Sequence, residues 1–142
     1  MSDMNIRVLV VDDDDEFREA VVAMLEQAQF IEVVGAVSDG RSAIVEVKNV
    51  RPDVVLMDIN MPGFDGLTAT KFISEVSPAT KIIAVSSYVD GGHVKSMLDA
   101  GAAGYLSKTR IHSDLLPAIH AVDGEQLFMS PNIDSAVLRE YR

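Results

Sequence analysis

Five short apolar runs, each followed by a stretch of helical periodicity, constrain this chain more than any other feature. Ile6 to Val11, Ile31 to Val37, Val54 to Met57, Lys81 to Val85 and Ala103 to Leu106 show almost no alternation of apolar and polar residues. They therefore read as strands, and Val54 to Met57 as a strand buried on both faces. Between and after them, apolar residues recur at helical spacing: Phe17, Val21, Met24, Leu25 and Ala28; Ala43, Ile44, Val47 and Val50; Val94, Met97, Leu98 and Gly101; Leu115, Ile119 and Val122. A further helix is expected from Gly66 to about Glu75. Pro52, Ser77-Pro78 and Asp123-Gly124 read as stops, Ser38-Asp39 and Ser113-Asp114 as cap candidates, and Asp90-Gly91-Gly92 as a flexible loop. Strict βα alternation predicts an α/β fold, a parallel sheet with helices on both faces. No linker divides the chain before Gly124. Glu125 to Arg142 is less regular, with a short helix expected over Pro131 to Tyr141.

A chain of 142 residues, 48% of them hydrophobic, is long enough for one domain with a proper core and too apolar for disorder. The absence of cysteine excludes disulfides, thiolate metal sites and cysteine nucleophiles. No apolar run approaches the ~20 residues a membrane span needs. Met1 to Asn5 lacks the basic and apolar regions of a signal peptide, so a cytoplasmic protein is expected. The formal net charge of -10 opposes direct contact with nucleic acid and suits a protein that gathers cations.

Chemistry gathers where the strands end. Asp12-Asp13 follow the first run, Asp58 the third, Ser86 the fourth, and Lys108 comes just after the fifth. In a parallel sheet these positions share the carboxyl edge, where ligands of open α/β sheets bind. Clustered carboxylates repel, so one is protonated unless a cation holds them. Hard oxygen donors suit Mg²⁺, which binds few carboxylates and keeps waters for a phosphate. A lysine opposite can neutralise a phosphoryl oxygen, and a hydroxyl can donate to another. With a carboxylate as nucleophile, these are the parts of phosphoryl transfer to aspartate.

Four segments, in order, carry a resemblance to a known family: Val10-Val11-Asp12-Asp13, Met57-Asp58-Ile59-Asn60-Met61-Pro62-Gly63-Phe64-Asp65-Gly66, Val85-Ser86-Ser87, and Gly101 to Lys108. The sequence resembles the receiver domain of two-component response regulators over about Ile6 to Gly124. Phe17-Arg18-Glu19, Ala118-Ile119 to Gly124-Glu125 and Met129-Ser130-Pro131 are similar to the NarL/LuxR-type subfamily. The resemblance implies a flavodoxin-like five-stranded sheet of order 2-1-3-4-5, an order general to such receivers. It places the receiver domain at residues 1–124 and makes residues 125–142 an extension or the start of a linker.

The resemblance also implies roles. Asp58 is the phosphoacceptor. Asp13, Asp58 and the Asn60 backbone carbonyl hold Mg²⁺, with Asp12 acting through water. Ser86 and Lys108 bind phosphoryl oxygens, Ser86 and Tyr105 form the switch with Tyr105 on an edge strand, and Asn60 and Tyr88 tune dephosphorylation. The implied partners are a sensor histidine kinase and a phosphorylation-dependent second copy, with DNA reached through a C-terminal helix-turn-helix beyond these residues and no membrane. The implied activity is that of a signalling switch rather than an enzyme. A stand-alone receiver acting as a phosphorelay intermediate or a protein-binding switch is the alternative. An aspartyl phosphatase would want an acid where Asn60 stands, and a flavin phosphate would be repelled by Asp12 to Asp15. Two positions depart from the pattern: Asp14-Asp15 replaces a common His-Pro, and Thr109 follows Lys108 where proline is frequent.

Overall fold

Side chains in a strand point alternately to opposite faces, and here both faces are covered. The computed structural model describes residues 5–61 and 65–133. Its strands are β1 (Ile6–Val11), β2 (Ile31–Val37), β3 (Val54–Asp58), β4 (Lys81–Ser86), β5 (Gly104–Ser107) and β6 (Phe128–Met129). Its helices are α1 (Asp15–Glu26), α2 (Gly40–Val50), α3 (Gly66–Val76), α4 (Gly91–Asp99) and α5 (Ile111–Asp123). The sheet order is β2-β1-β3-β4-β5-β6, parallel throughout. The expected order 2-1-3-4-5 is present, with a sixth strand added beyond β5.

Val8, Val10, Val54, Leu56, Ile83, Val85 and Leu106 pack under α1 and α5, against Val21, Leu25, Leu115, Ile119 and Val122. Their neighbours Leu9, Val11, Val55, Met57 and Ile82 point the other way, to Ala43 and Val47 of α2 and Ala69 and Ile73 of α3. Ala84 and Tyr105 meet Val94, Met97 and Leu98 of α4. Two-sided burial is why β1, β3, β4 and β5 carry no polar face, whereas edge strand β2 buries only Ile31 fully. Gly35 sits where β1 and β2 slip register: Val8 pairs with Val33, but Leu9 pairs with Gly35. A Cβ there would meet Leu9 Cδ1 at 3.0 Å.

Three local expectations change. Asp90-Gly91-Gly92 is not a loop: Asp90 caps α4 by accepting from His93 N, and the helix starts at Gly91. Ser113-Asp114 does not cap α5, which grows two residues earlier out of a 3₁₀ turn at Lys108–Arg110. The Asp114 carboxylate is instead engaged by Arg110 Nε at 3.0 Å and Ser130 Oγ at 2.9 Å. The tail is less irregular than its composition suggests, because Phe128 and Met129 extend the sheet. Every described peptide bond is trans, Lys108–Thr109 included. The Pro62-Gly63 loop and most of the expected Pro131–Tyr141 helix lie outside the described residues.

Candidate functional site

β1 and β3 lie side by side, with Val11 paired to Met57. Their next residues, Asp12 and Asp58, therefore leave the sheet together. Asp12, Asp13 and Asp58 each bring a carboxylate oxygen to within 4.8 Å of one another. Asp12 and Asp58 are each 2% exposed, whereas Asp13 is open to solvent. Local turns hold the two buried ones: Asp14 N donates to Asp12 Oδ1 at 2.8 Å and Asn60 N to Asp58 Oδ1 at 3.1 Å. Asp14 caps α1 through the Phe17 amide, so the third Asp of the run has a structural task.

Lys108 arrives from the end of β5. Its Nζ lies 3.2 Å from Asp12 Oδ2 and 3.7 Å from Asp58 Oδ2. The Phe17 ring lies 4.6 Å from the same ammonium, a cation–π contact that fixes it from the α1 side. Sequence reasoning assigned Phe17 to the core face of α1 and missed this contact. The spacing of Phe17 four residues after the acidic pair was the available signal. Even with Lys108 nearby, burial pushes the Asp58 carboxyl up to about 7, and the charge of Asp12 adds to the rise while the Asn60 amide and Lys108 oppose it.

Ser86, fully buried at the end of β4, faces this group. Its Oγ accepts from Tyr88 N at 2.9 Å and from Asn60 Nδ2 at 3.4 Å, and its hydroxyl also interacts with the Tyr105 phenol. Tyr105 does not lie on an edge. β6 covers that side of β5, and the ring is fully buried against α4. Its hydroxyl donates to the Tyr88 carbonyl at 2.6 Å, and burial holds it above the usual tyrosine value. The ring of this expected switch residue is thus already turned inward in the described structure. Tyr88 is half exposed and stacks on His93, with ring centres 4.6 Å apart and planes 11° from parallel. Asp90 grips that imidazole, its Oδ1 lying 2.8 Å from His93 Nδ1. Gly66 opens α3, as expected, and its lack of a side chain is required there. A Cβ there would collide with the Asp58 carbonyl oxygen and Ile59 Cα, so α3 can start this close to β3 only with glycine.

Asp12, Asp13, Asp58, Ser86 and Lys108 are thus gathered at one end of the sheet, with Asn60 beside them. The response regulator receiver domain family matches residues 8–120. The chain belongs to that family. This receiver is 38% identical over 128 residues to the response regulator GacA of Pseudomonas viridiflava, covering 90% of this chain and 60% of that one. It thus spans about 60% of the length of such curated relatives. A LuxR-family two-component response regulator from Aurantimonas sp. SI85-9A1 superposes with a TM-score of 0.90 at 28% identity, covering 96% of this chain and 98% of that one. RcsB, in a structure of two dimers bound to two parallel DNAs, gives 0.85 at 26% identity, covering 95% and 68%. The receiver is a signalling domain of the two-component class rather than a conventional enzyme. Among its described residues no helix is long and apolar enough to cross a membrane.

The donor set fits a hard divalent cation. It consists only of oxygens, it contains two buried carboxylates that repel one another, and one of these is already driven toward its protonated form.

Proposed function

We propose that this receiver accepts a phosphoryl group on Asp58 from a phosphohistidine of a sensor kinase. The observation that carries the reading is the pairing of a buried carboxylate at the end of β3 with Lys108 and a second buried carboxylate, Asp12. An Asp58 oxygen attacks phosphorus, and the donor's P–N bond breaks. The leaving imidazole keeps the electron pair and takes a proton from solvent. Asp13, Asp58 and the Asn60 carbonyl would hold Mg²⁺, with Asp12 acting through water. The bound cation would neutralise the incoming phosphoryl charge.

Lys108 is close enough to transfer its ammonium from Asp12 to a phosphoryl oxygen, and the Ser86 hydroxyl can turn to serve another. Phosphorylation replaces one charge by nearly two, enough for a new set of charge-assisted hydrogen bonds. Asn60 and Tyr88 flank the approach to Asp58 and set how fast water removes the group. The His93 stack fixes where the Tyr88 ring stands. Ser86 and Tyr105 meet at the β4–α4 turn through Tyr88, whose amide donates to one and whose carbonyl accepts from the other. This turn is the switch element. The output is transcriptional control through a DNA-binding domain joined after the receiver. The LuxR-family and DNA-bound RcsB neighbours and the span of only part of each curated relative support that reading.

Incubation with Mg²⁺ and a small phosphodonor tests the first step. The wild type should gain one alkali-labile phosphoryl mass and Asp58→Asn none. Equal labelling of both would reject Asp58 as the acceptor.

A further inference from the structure

The chain beyond α5 is bonded to the neighbours of Lys108. The β5–β6 ladder is short, pairing Gly104 with Phe128 and Tyr105 with Met129, and Ser130 N closes it on the Tyr105 carbonyl at 3.0 Å. Where the backbone ladder ends, a side chain continues it: Ser107 N donates to Ser130 Oγ at 3.0 Å. Ser130 Oγ passes its own proton to Asp114 Oδ2 at 2.9 Å. Ser107 and Ser130 are 1% exposed and Asp114 6%, so water does not compete for these bonds. Arg110 Nε holds the same carboxylate oxygen at 3.0 Å. Two residues after Ser130, Asn132 Nδ2 donates to Ser107 Oγ at 3.2 Å, and that hydroxyl also bonds Thr109 Oγ1 at 2.8 Å. Ile133 then buries itself with Tyr105, Ala84, Val94 and Met97.

These bonds bracket Lys108: Ser107 precedes it, Thr109 follows it, and Arg110 closes its turn. We infer that residues 128–133 form a latch on Lys108, with Ser130 as its positioning residue, through which the state of Asp58 acts on the chain beyond Ile133. The inference rests on the proposed roles of Asp58 and Lys108. Lys108 Nζ is now divided between Asp12 and Asp58. A doubly charged group on Asp58 draws it toward a new anion, and the pull falls on a backbone joint whose Ser107 amide and hydroxyl are committed to Ser130 and Asn132. A packed, hydrogen-bonded joint yields between discrete arrangements, so the pull favours release of the latch. Coupling is reciprocal, so loosening the latch must also loosen Lys108.

Hydrogen exchange of the chain, with and without Mg²⁺ and phosphoramidate, tests this while intact mass reports phosphorylation. The phosphorylated wild type should exchange the amides of Ser107, Ser130 and Ile133 at least tenfold faster than the unmodified chain. A phosphorylated wild type with these amides unchanged overturns the latch. A second arm needs no phosphodonor. Ser130→Ala should speed acylation of Lys108 by an amine reagent at least threefold relative to Lys48 and Lys71, and Ser130→Thr, which keeps the hydroxyl, should restore the wild-type ratio. An unchanged ratio in Ser130→Ala overturns the latch even where the mass shows no phosphoryl group, an outcome that would reject the phosphoacceptor reading separately. Should Ser130→Ala fail to fold, Asn132→Ala removes an exposed partner of Ser107 and must raise the same ratio.

Discussion

Burial and the charge of Asp12 lift Asp58 to about 7, and this has a consequence for the metal-free protein. As pH falls through that value, the folded chain takes up a proton that the unfolded chain, with an ordinary carboxylate, does not yet bind. The stability this contributes is fully present below the ordinary carboxylate range and is lost as pH rises through about 7. Without metal, the urea midpoint of the wild type should therefore be higher near pH 5 than near pH 8. Asp58→Asn, which carries no titrating proton, should flatten the difference. A steeper dependence in Asp58→Asn than in the wild type would contradict the burial argument. Mg²⁺ titrations separate the other two carboxylates. Asp12 is committed to Lys108 and the Asp14 amide, whereas Asp13 is exposed and meets only the Asp58 carboxyl in the described contacts. Asp13→Ala should weaken Mg²⁺ about tenfold or more and Asp12→Ala less. Equal, negligible effects would remove the metal role. These residues were legible because each is a charged or hydroxyl group set at the end of an apolar run. Tyr105 was legible as a residue but not as a state, since the partner that holds it inward is the Tyr88 backbone carbonyl, which no side chain marks.

Among the elements, α3 depends on one absent side chain. Gly66→Ala would drive a Cβ into the Asp58 carbonyl, and the strand and helix would have to part. Overpacking of this kind costs roughly 1–3 kcal/mol. Urea unfolding should show that loss, and a drop in Mg²⁺ affinity should accompany it because Asp58 sits on the displaced segment. A variant as stable as the wild type would show that the contact relaxes freely. The existence of α1, α2, α4 and α5 followed from periodicity, and that of α3 from Gly66 and the Ser77-Pro78 stop. Helix starts were less readable where a cap candidate had a tertiary use. Asp114 looks like a cap in sequence, yet Arg110 and Ser130 claim its carboxylate. Asp90 looks like a loop residue beside two glycines, yet its bond to His93 N begins α4. The sixth strand has too few residues for any period, and it forms because the side of β5 opposite β4 offers unpaired backbone groups.

For the whole molecule, the fivefold alternation of strand and helix was expressed in the apolar pattern, because every central strand is buried on both sides. The sixth strand changes which surfaces are free for a partner. The edge carrying Tyr105 is covered, which leaves the α1–α5 face as the expected contact between phosphorylated copies. Sedimentation of the wild type, Ser86→Ala and Tyr105→Ala, each with and without phosphodonor, should show association of the phosphorylated wild type and less in the variants. A fully phosphorylated wild type that stays monomeric would show that this face alone does not pair the copies.

The tail strand also decides where this domain can be cut. A chain shortened to Gly124 keeps all five helices, so it looks complete by homology, but it bares the backbone of Gly104 to Tyr105 and one flank of the Tyr105 cluster. An open strand edge beside apolar side chains is a template for another chain. Light scattering should find that shortened form associating without any phosphodonor, while a form ending after Ile133 stays dispersed. A laboratory testing phosphorylation-dependent pairing on the shorter form would then be measuring the cut.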